Sequence, residues 1–199
     1  MVFAMEACQN ACSQNNRYAS LIERKDTVGK SAEWGNIKKL FGDYTAALNQ
    51  DTNDIAARLD LTALYLNEAR ISGNQSYYYK AALNMINQLL NKENANKDDR
   101  FLALTYKSSV LLSLHQFADA QHTAEEALRL NPYNADVYGA LVDAHVELGH
   151  YTQAIELCDK MMSIRPDLRS YSRASYLRQI HGDNDGAKQA MKMAVDAGP

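Results

Sequence analysis

Five histidines and three cysteines are the side chains here with most chemistry to offer, since imidazoles move protons near neutral pH and thiolates attack or bind metals. Spacing decides whether they can act together. His115, His122, His145, His150 and His181 never fall into the His-Glu-x-x-His pattern, which would set two metal ligands and a base on one helix face. Cys8 and Cys12 stand close together near the start, and Cys158 stands alone, whereas a zinc centre takes four such ligands in recognisable pairs. Cys158 sits in an apolar stripe and reads as a packing residue. Cys8 and Cys12 could bridge in an oxidising compartment, so the redox setting stays open. There is no Gly-x-Ser-x-Gly elbow, phosphate-cradling glycine loop or dinucleotide fingerprint. Glu125 and Glu126 read as a solvated helix exterior. The residues point away from catalysis, and no cofactor or metal is expected.

The elements that would position these side chains follow a recurring phrase. One copy reads Tyr138, Leu141, Gly149, Tyr151, Ala154, Cys158, Met161, Pro166. The copy before it has Leu104, Leu111, Phe117, Ala120, Ala124, Ala127, Pro132, and the copy after it has Tyr171, Ala174, Gly182, Ala187, Met191, Ala194, Pro199. The period is about 34 residues, which marks a repeat array. Tyr138, Leu141, Val142 and His145 recur at i, i+3, i+4, i+7 and therefore line one stripe of a helix. Gly149 supplies a left-handed stop. Ala154, Cys158 and Met161 form a second stripe, ended by Pro166, which disfavours helical geometry at Arg165. Small residues at Ala120, Ala154 and Ala187 let paired helices approach closely. His115, His150 and His181 fall at the inter-helix turns.

An earlier unit is less regular. Leu59 to Gly73 predicts a first helix, Asn74 to Tyr77 a widened turn, and Ala82, Ile86, Leu89 and Leu90 a second helix, with Asn94 where the proline would be. The Tyr77-Tyr78-Tyr79 run reads as one ring packed inward with the others exposed, a recognition patch being the alternative. Trp34, Ile37, Leu40, Phe41, Tyr44 and Leu48 form a further amphipathic stripe, half of a degenerate leading unit.

These residues resemble the tetratricopeptide repeat, a helix–turn–helix unit. On its ruler the best copy carries Tyr138, Leu141, Val142, His145, Gly149, Ala154, Cys158, Met161 and Pro166, with Val142, His145, Cys158 and Met161 departing from the commonest residues. The resemblance covers Leu59 to Pro199 well and Trp34 to Asp54 weakly. It implies an all-α, right-handed superhelical array of antiparallel helix pairs over residues 31–199, with units at 59–94 and 101–132, two more within 135–199, and a degenerate leading helix pair. Residues 1–30 are expected to be poorly structured.

Net charge is −3 with an isoelectric point near 5.9, and no basic stripe dominates, which argues against nucleic-acid binding. No apolar run is long enough to span a bilayer. Met1 to Ala7, followed by Cys8, resembles the end of a bacterial lipoprotein signal, although a basic start is missing and Glu6 is unfavourable there. Location is therefore either cytoplasmic or envelope-anchored. Met191, Met193 and Val195 lack an evident cover at the last helix, which suits self-association or a longer array.

In such arrays the first helices of successive units line a concave groove. The resemblance places Asn67, Arg70, Tyr106, Ser109, Asp136, Asp143, Glu147, Arg169, Arg173 and Tyr176 in it, with an acidic middle and a basic C-terminal side. Arg169 and Arg173 could grip a peptide carboxylate, or Arg173 could pair with Asp143 or Glu147 across the groove. The subtype that holds the terminal carboxylate of heat-shock chaperones matches at Asn67 but not at Ala63, Tyr106, Asp136 or Ala140. The expected function is non-catalytic binding of a protein or peptide partner. The alternatives are a regulatory segment of a larger enzyme or transport complex, and a self-assembling structural element.

Overall fold

The computed structural model describes residues 17–25 and 27–198. Cys8, Cys12 and the export-signal reading lie outside the described residues. Among those described there are nine α-helices and no strand: α1 (Ala32–Gln50), α2 (Ile55–Ser72), α3 (Gln75–Leu90), α4 (Lys97–Ser113), α5 (Phe117–Leu130), α6 (Ala135–Glu147), α7 (Tyr151–Ile164), α8 (Leu168–Ile180) and α9 (Asn184–Asp196).

Helix starts follow two local rules. The first helix of each pair is capped by a side chain: Asp54 accepts from the Ala57 amide, Asn96 from Asp98 and Asp99, Asn134 from Asp136 and Val137, and Asp167 from Arg169 and Ser170. Such caps satisfy amides that the helix leaves orphaned, and each contributes about 1 kcal/mol. The second helices α3, α5 and α7 have no side-chain cap, and α9 has one, Asp183 accepting from the Gly186 amide; each follows a tight turn set by one left-handed residue. That residue is Gly73 (φ 72°), Gly149 (φ 77°) or Gly182 (φ 82°) in three units, but His115 (φ 58°) between α4 and α5. Helix stops follow the prolines: Asn131 before Pro132 and Arg165 before Pro166 are both extended, so α5 and α7 end there.

Each helix packs on its sequence neighbours, and α2, α4, α6 and α8 also touch in series. Among the described residues the second helices α3, α5, α7 and α9 do not touch one another. An inner row in contact and an outer row splayed apart give a curved stack, concave on the side of α2, α4, α6 and α8. The buried side chains form a succession of small clusters rather than one centre, as a repeat array requires. Ala120, Ala154 and Ala187 are buried at the close helix contacts.

The N-terminal end departs from the sequence expectation in three respects. A single helix, α1, precedes α2 among the described residues, instead of a leading helix pair. Residues 17–25 have no regular secondary structure, yet they are packed: Tyr18 and Arg24 are buried. No widened turn follows Gly73, since α3 begins at Gln75 and carries the tyrosine run, with Tyr78 and Tyr79 buried and only Tyr77 exposed. Two rings turn inward there because both pack into the cluster built on Leu61, Tyr65 and Tyr18.

Candidate protein-binding groove

The inner helices leave an open hollow of about 730 Å³. Asn67 and Arg70 on α2, Tyr106 and Ser109 on α4, Asp136 and Asp143 on α6, and Arg169 and Arg173 on α8 all line it. Glu147 and Tyr176 line a second hollow of about 330 Å³, which shares Asp143 and Arg173 with the first. The concave surface thus gathers all ten residues singled out by repeat position. Sequence position did not reveal its apolar floor, in which Leu66, Phe101, Leu112 and Met161 also take part.

The acidic residues of α6 and the arginines of α8 pair off across the groove. Arg173 donates from Nε to Asp143 Oδ1 at 2.8 Å and from Nη2 to Oδ2 at 2.6 Å, a bidentate fork. It lies across α6 at Gly139, where an added Cβ would come within 3.3 Å of its guanidinium carbon. Arg169 Nη1 donates to Asp136 Oδ1 at 3.1 Å, and Arg165, from the end of α7, holds the same carboxylate. Burial pushes the Asp136 carboxyl upward, but the two guanidinium groups outweigh it and hold Asp136 below the usual carboxylate range. Burial likewise works against the charge on Arg173, and Asp143 overcomes it.

The α2–α4 side is the opposite case. Arg70, Asn67 and the Tyr106 hydroxyl have no hydrogen-bond partner among the described residues. Tyr106 is half-buried, and burial, with help from the Asp60 charge, raises its pKa. Its hydroxyl therefore stays protonated and available as a donor. Among the described residues Arg70 is the groove cation without a partner, whereas Arg173 takes the alternative of pairing with Asp143 across the groove.

The histidines and the described cysteine are spread through the stack. Cys158 is buried, free, and pushed up to about 11 by burial, so its thiol is inert at neutral pH. His145 is buried 5.5 Å from the His150 ring, and desolvation followed by the His150 charge lowers its pKa. His115 packs edge-on against Phe117, His181 against Tyr151, and His122 lies 3.1 Å from Glu126. Among the described residues no three His, Cys, Asp or Glu side chains converge as a metal would need, and no helix is long and apolar enough to cross a membrane.

Residues 111–180 match the family model described as tetratricopeptide repeat, and these residues run from the end of α4 through α8. That stretch is tetratricopeptide repeat. Solved structures place the rest of the array in the same fold. A crystal structure of MamA aligns with TM-score 0.63 at 20% identity, covering 87% of this chain and 95% of that one. MamA residues 41 to the end from Desulfovibrio magneticus RS-1 align with TM-score 0.62 at 17% identity, covering 83% and 87%. TTC0263, a thermophilic tetratricopeptide protein of Thermus thermophilus, aligns with TM-score 0.64 at 15% identity, covering 84% and 86%. No curated protein matches the chain in sequence.

Proposed function

We propose that this tetratricopeptide array is a non-catalytic protein-binding scaffold whose concave surface holds a peptide or a partner helix. One observation carries the reading: an open hollow lined on one side by polar groups that have no hydrogen-bond partner among the described residues, namely Arg70, Asn67 and the Tyr106 hydroxyl. A guanidinium presents five N–H donors in a planar fork that fits a carboxylate. The partner chemistry that suits this wall is an acidic side chain or chain terminus over Arg70, with an apolar residue against Tyr106 and Leu66. Tyr176, half-exposed beside Glu147, offers a second amphipathic contact at the other end.

Pull-down from a native lysate tests the reading, with wild type compared against Tyr106→Ala/Arg70→Ala and Tyr106→Ala/Arg173→Ala. The first variant is expected to lose the captured proteins. The second should lose less, because Asp143 already occupies the Arg173 fork. Identical captures by all three would mean that the groove is not the contact surface. A second reading, association of copies through α9, is favoured by the exposure of Met191 (45%), Met193 (47%) and Val195 (69%). Sedimentation over a concentration series separates the two, since only self-association makes the apparent mass rise with concentration.

A further inference from the structure

On the face of α2 turned away from the groove, residues 18–24 cross the array as a non-helical strap. No backbone–backbone hydrogen bond ties this strap to any helix among the described residues. Tyrosine hydroxyls hold its main chain instead. Tyr65 donates to the Ala19 carbonyl at 2.7 Å and Tyr77 to the Ser20 carbonyl at 2.9 Å, and the Ile22 amide donates to the Tyr78 hydroxyl at 2.8 Å. Recognition of main-chain groups by fixed side chains is independent of the peptide's own sequence, which is how a receptor surface reads a peptide.

Selectivity enters at Arg24. Its guanidinium donates from Nε to Glu68 Oε2 at 3.1 Å and from Nη2 to Oε1, and from Nη1 to Glu33 at 3.2 Å. The guanidinium carbon lies 4.9 Å from the centre of the Trp34 ring, within cation–π range. The Trp34 indole donates in turn to Glu23 at 3.0 Å. Glu68 and Trp34 are almost fully buried, at 0% and 1% exposure, so this is a built pocket for one planar cation. A lysine would fit poorly, because its ammonium cannot form the fork. Gly29 lets the chain double back over the strap, since a Cβ there would fall 2.0 Å from the Arg24 carbonyl oxygen.

We propose that the cleft formed by α1, α2 and α3 is a recognition site for a non-helical, arginine-bearing peptide, and that this chain fills it with its own residues 18–24. The site is separate from the concave groove: Glu68 and Tyr65 face the strap, whereas Asn67 and Arg70 face the hollow. When its own strap leaves, the cleft accepts the same segment in trans.

Full-length chains and a labelled synthetic peptide of residues 17–25 test this. Trp34 is the only tryptophan, so its emission reports on the pocket directly. Arg24→Ala loosens the chain's own strap, and its emission should move to the red. This variant should bind the peptide at least about tenfold more tightly than wild type, whose site is occupied. Peptide binding should return the emission toward the blue. Adding Glu68→Gln to Arg24→Ala, or replacing Arg24 by Ala within the peptide, should abolish binding. A helical, cooperatively melting Arg24→Ala protein that captures no peptide, or captures both peptides equally, overturns the proposal. Native-state hydrogen exchange on wild type decides independently, even if the variant misfolds. The Ile22 amide should exchange well ahead of the α2 amides, and exchange at the same rate would make the strap a fixed part of the fold.

Discussion

At the N-terminal end Arg24 and Glu68 are withdrawn from water, with side-chain exposures of 3% and 0%. Between α6 and α8, Arg173 and Asp143 form a pair of the same chemistry with 28% and 40% left exposed. The packing differs in parallel. Large rings, Tyr65, Tyr78 and Trp34, fill the N-terminal end, whereas alanines such as Ala154 set the helix contacts in the later units. The difference follows from position. An interior unit is covered on both sides by its neighbours, so small residues and half-exposed charges suffice. Among the described residues no helix pair precedes the first unit, which is covered by α1 and the strap. The strap must supply both the cover and the polar partners that a helix would have provided for itself.

The largest expected effect breaks the buried end. Glu68→Ala leaves the Arg24 guanidinium with only the exposed Glu33 carboxylate, and one-sided loss of a buried pair costs on the order of 3–5 kcal/mol. Urea unfolding followed by Trp34 emission measures this. The double change Arg24→Met/Glu68→Met should recover most of the loss, because apolar residues of similar volume need no counter-charge. A small effect for Glu68→Ala would mean that the pair is not closed to water.

Overpacking the regular end comes next. Ala154 is fully buried in the cluster with Val142, Cys158 and Ala174. Ala154→Leu inserts a branched side chain where α7 meets its partner helices, and about 1–3 kcal/mol should be lost. An unchanged melting curve would mean that the later units do not depend on close helix approach.

The same contrast explains what could be read from residues alone. In α4 to α9 the glycines at 149 and 182, the prolines at 132 and 166 and the alanines between them act locally. Each constrains its own backbone or its own helix contact, so the boundaries and the inward faces were legible. His115 hid one turn, because a non-glycine residue holds the left-handed position there. The strap was illegible for another reason: its partners on α2 and α3 lie 44 to 57 residues away, and nothing in the local pattern of residues 18–24 marks them. The concave residues could be named from repeat position. For Arg173 the residues left two outcomes open, a peptide carboxylate or Asp143 or Glu147, because the choice depends on which side chains meet across helices, and Asp143 takes the fork.

The smallest expected effect tests whether exposure is what separates the two pairs. Asp143→Asn keeps one oxygen acceptor for Arg173 and removes the charge together with the second acceptor of the fork. Arg173 also keeps its bond from Nη1 to the Arg169 carbonyl at 3.1 Å and its seat over Gly139. With both side chains partly in water, the charge–charge attraction is worth about 0–1 kcal/mol. That difference should shrink further when salt is raised toward 1 M, where the screening length falls to about 3 Å. Urea midpoints at low and high salt measure both quantities. A loss as large as that of Glu68→Ala, insensitive to salt, would show that the groove pair is as dry as the strap pair, and the contrast drawn between the two ends would then be false.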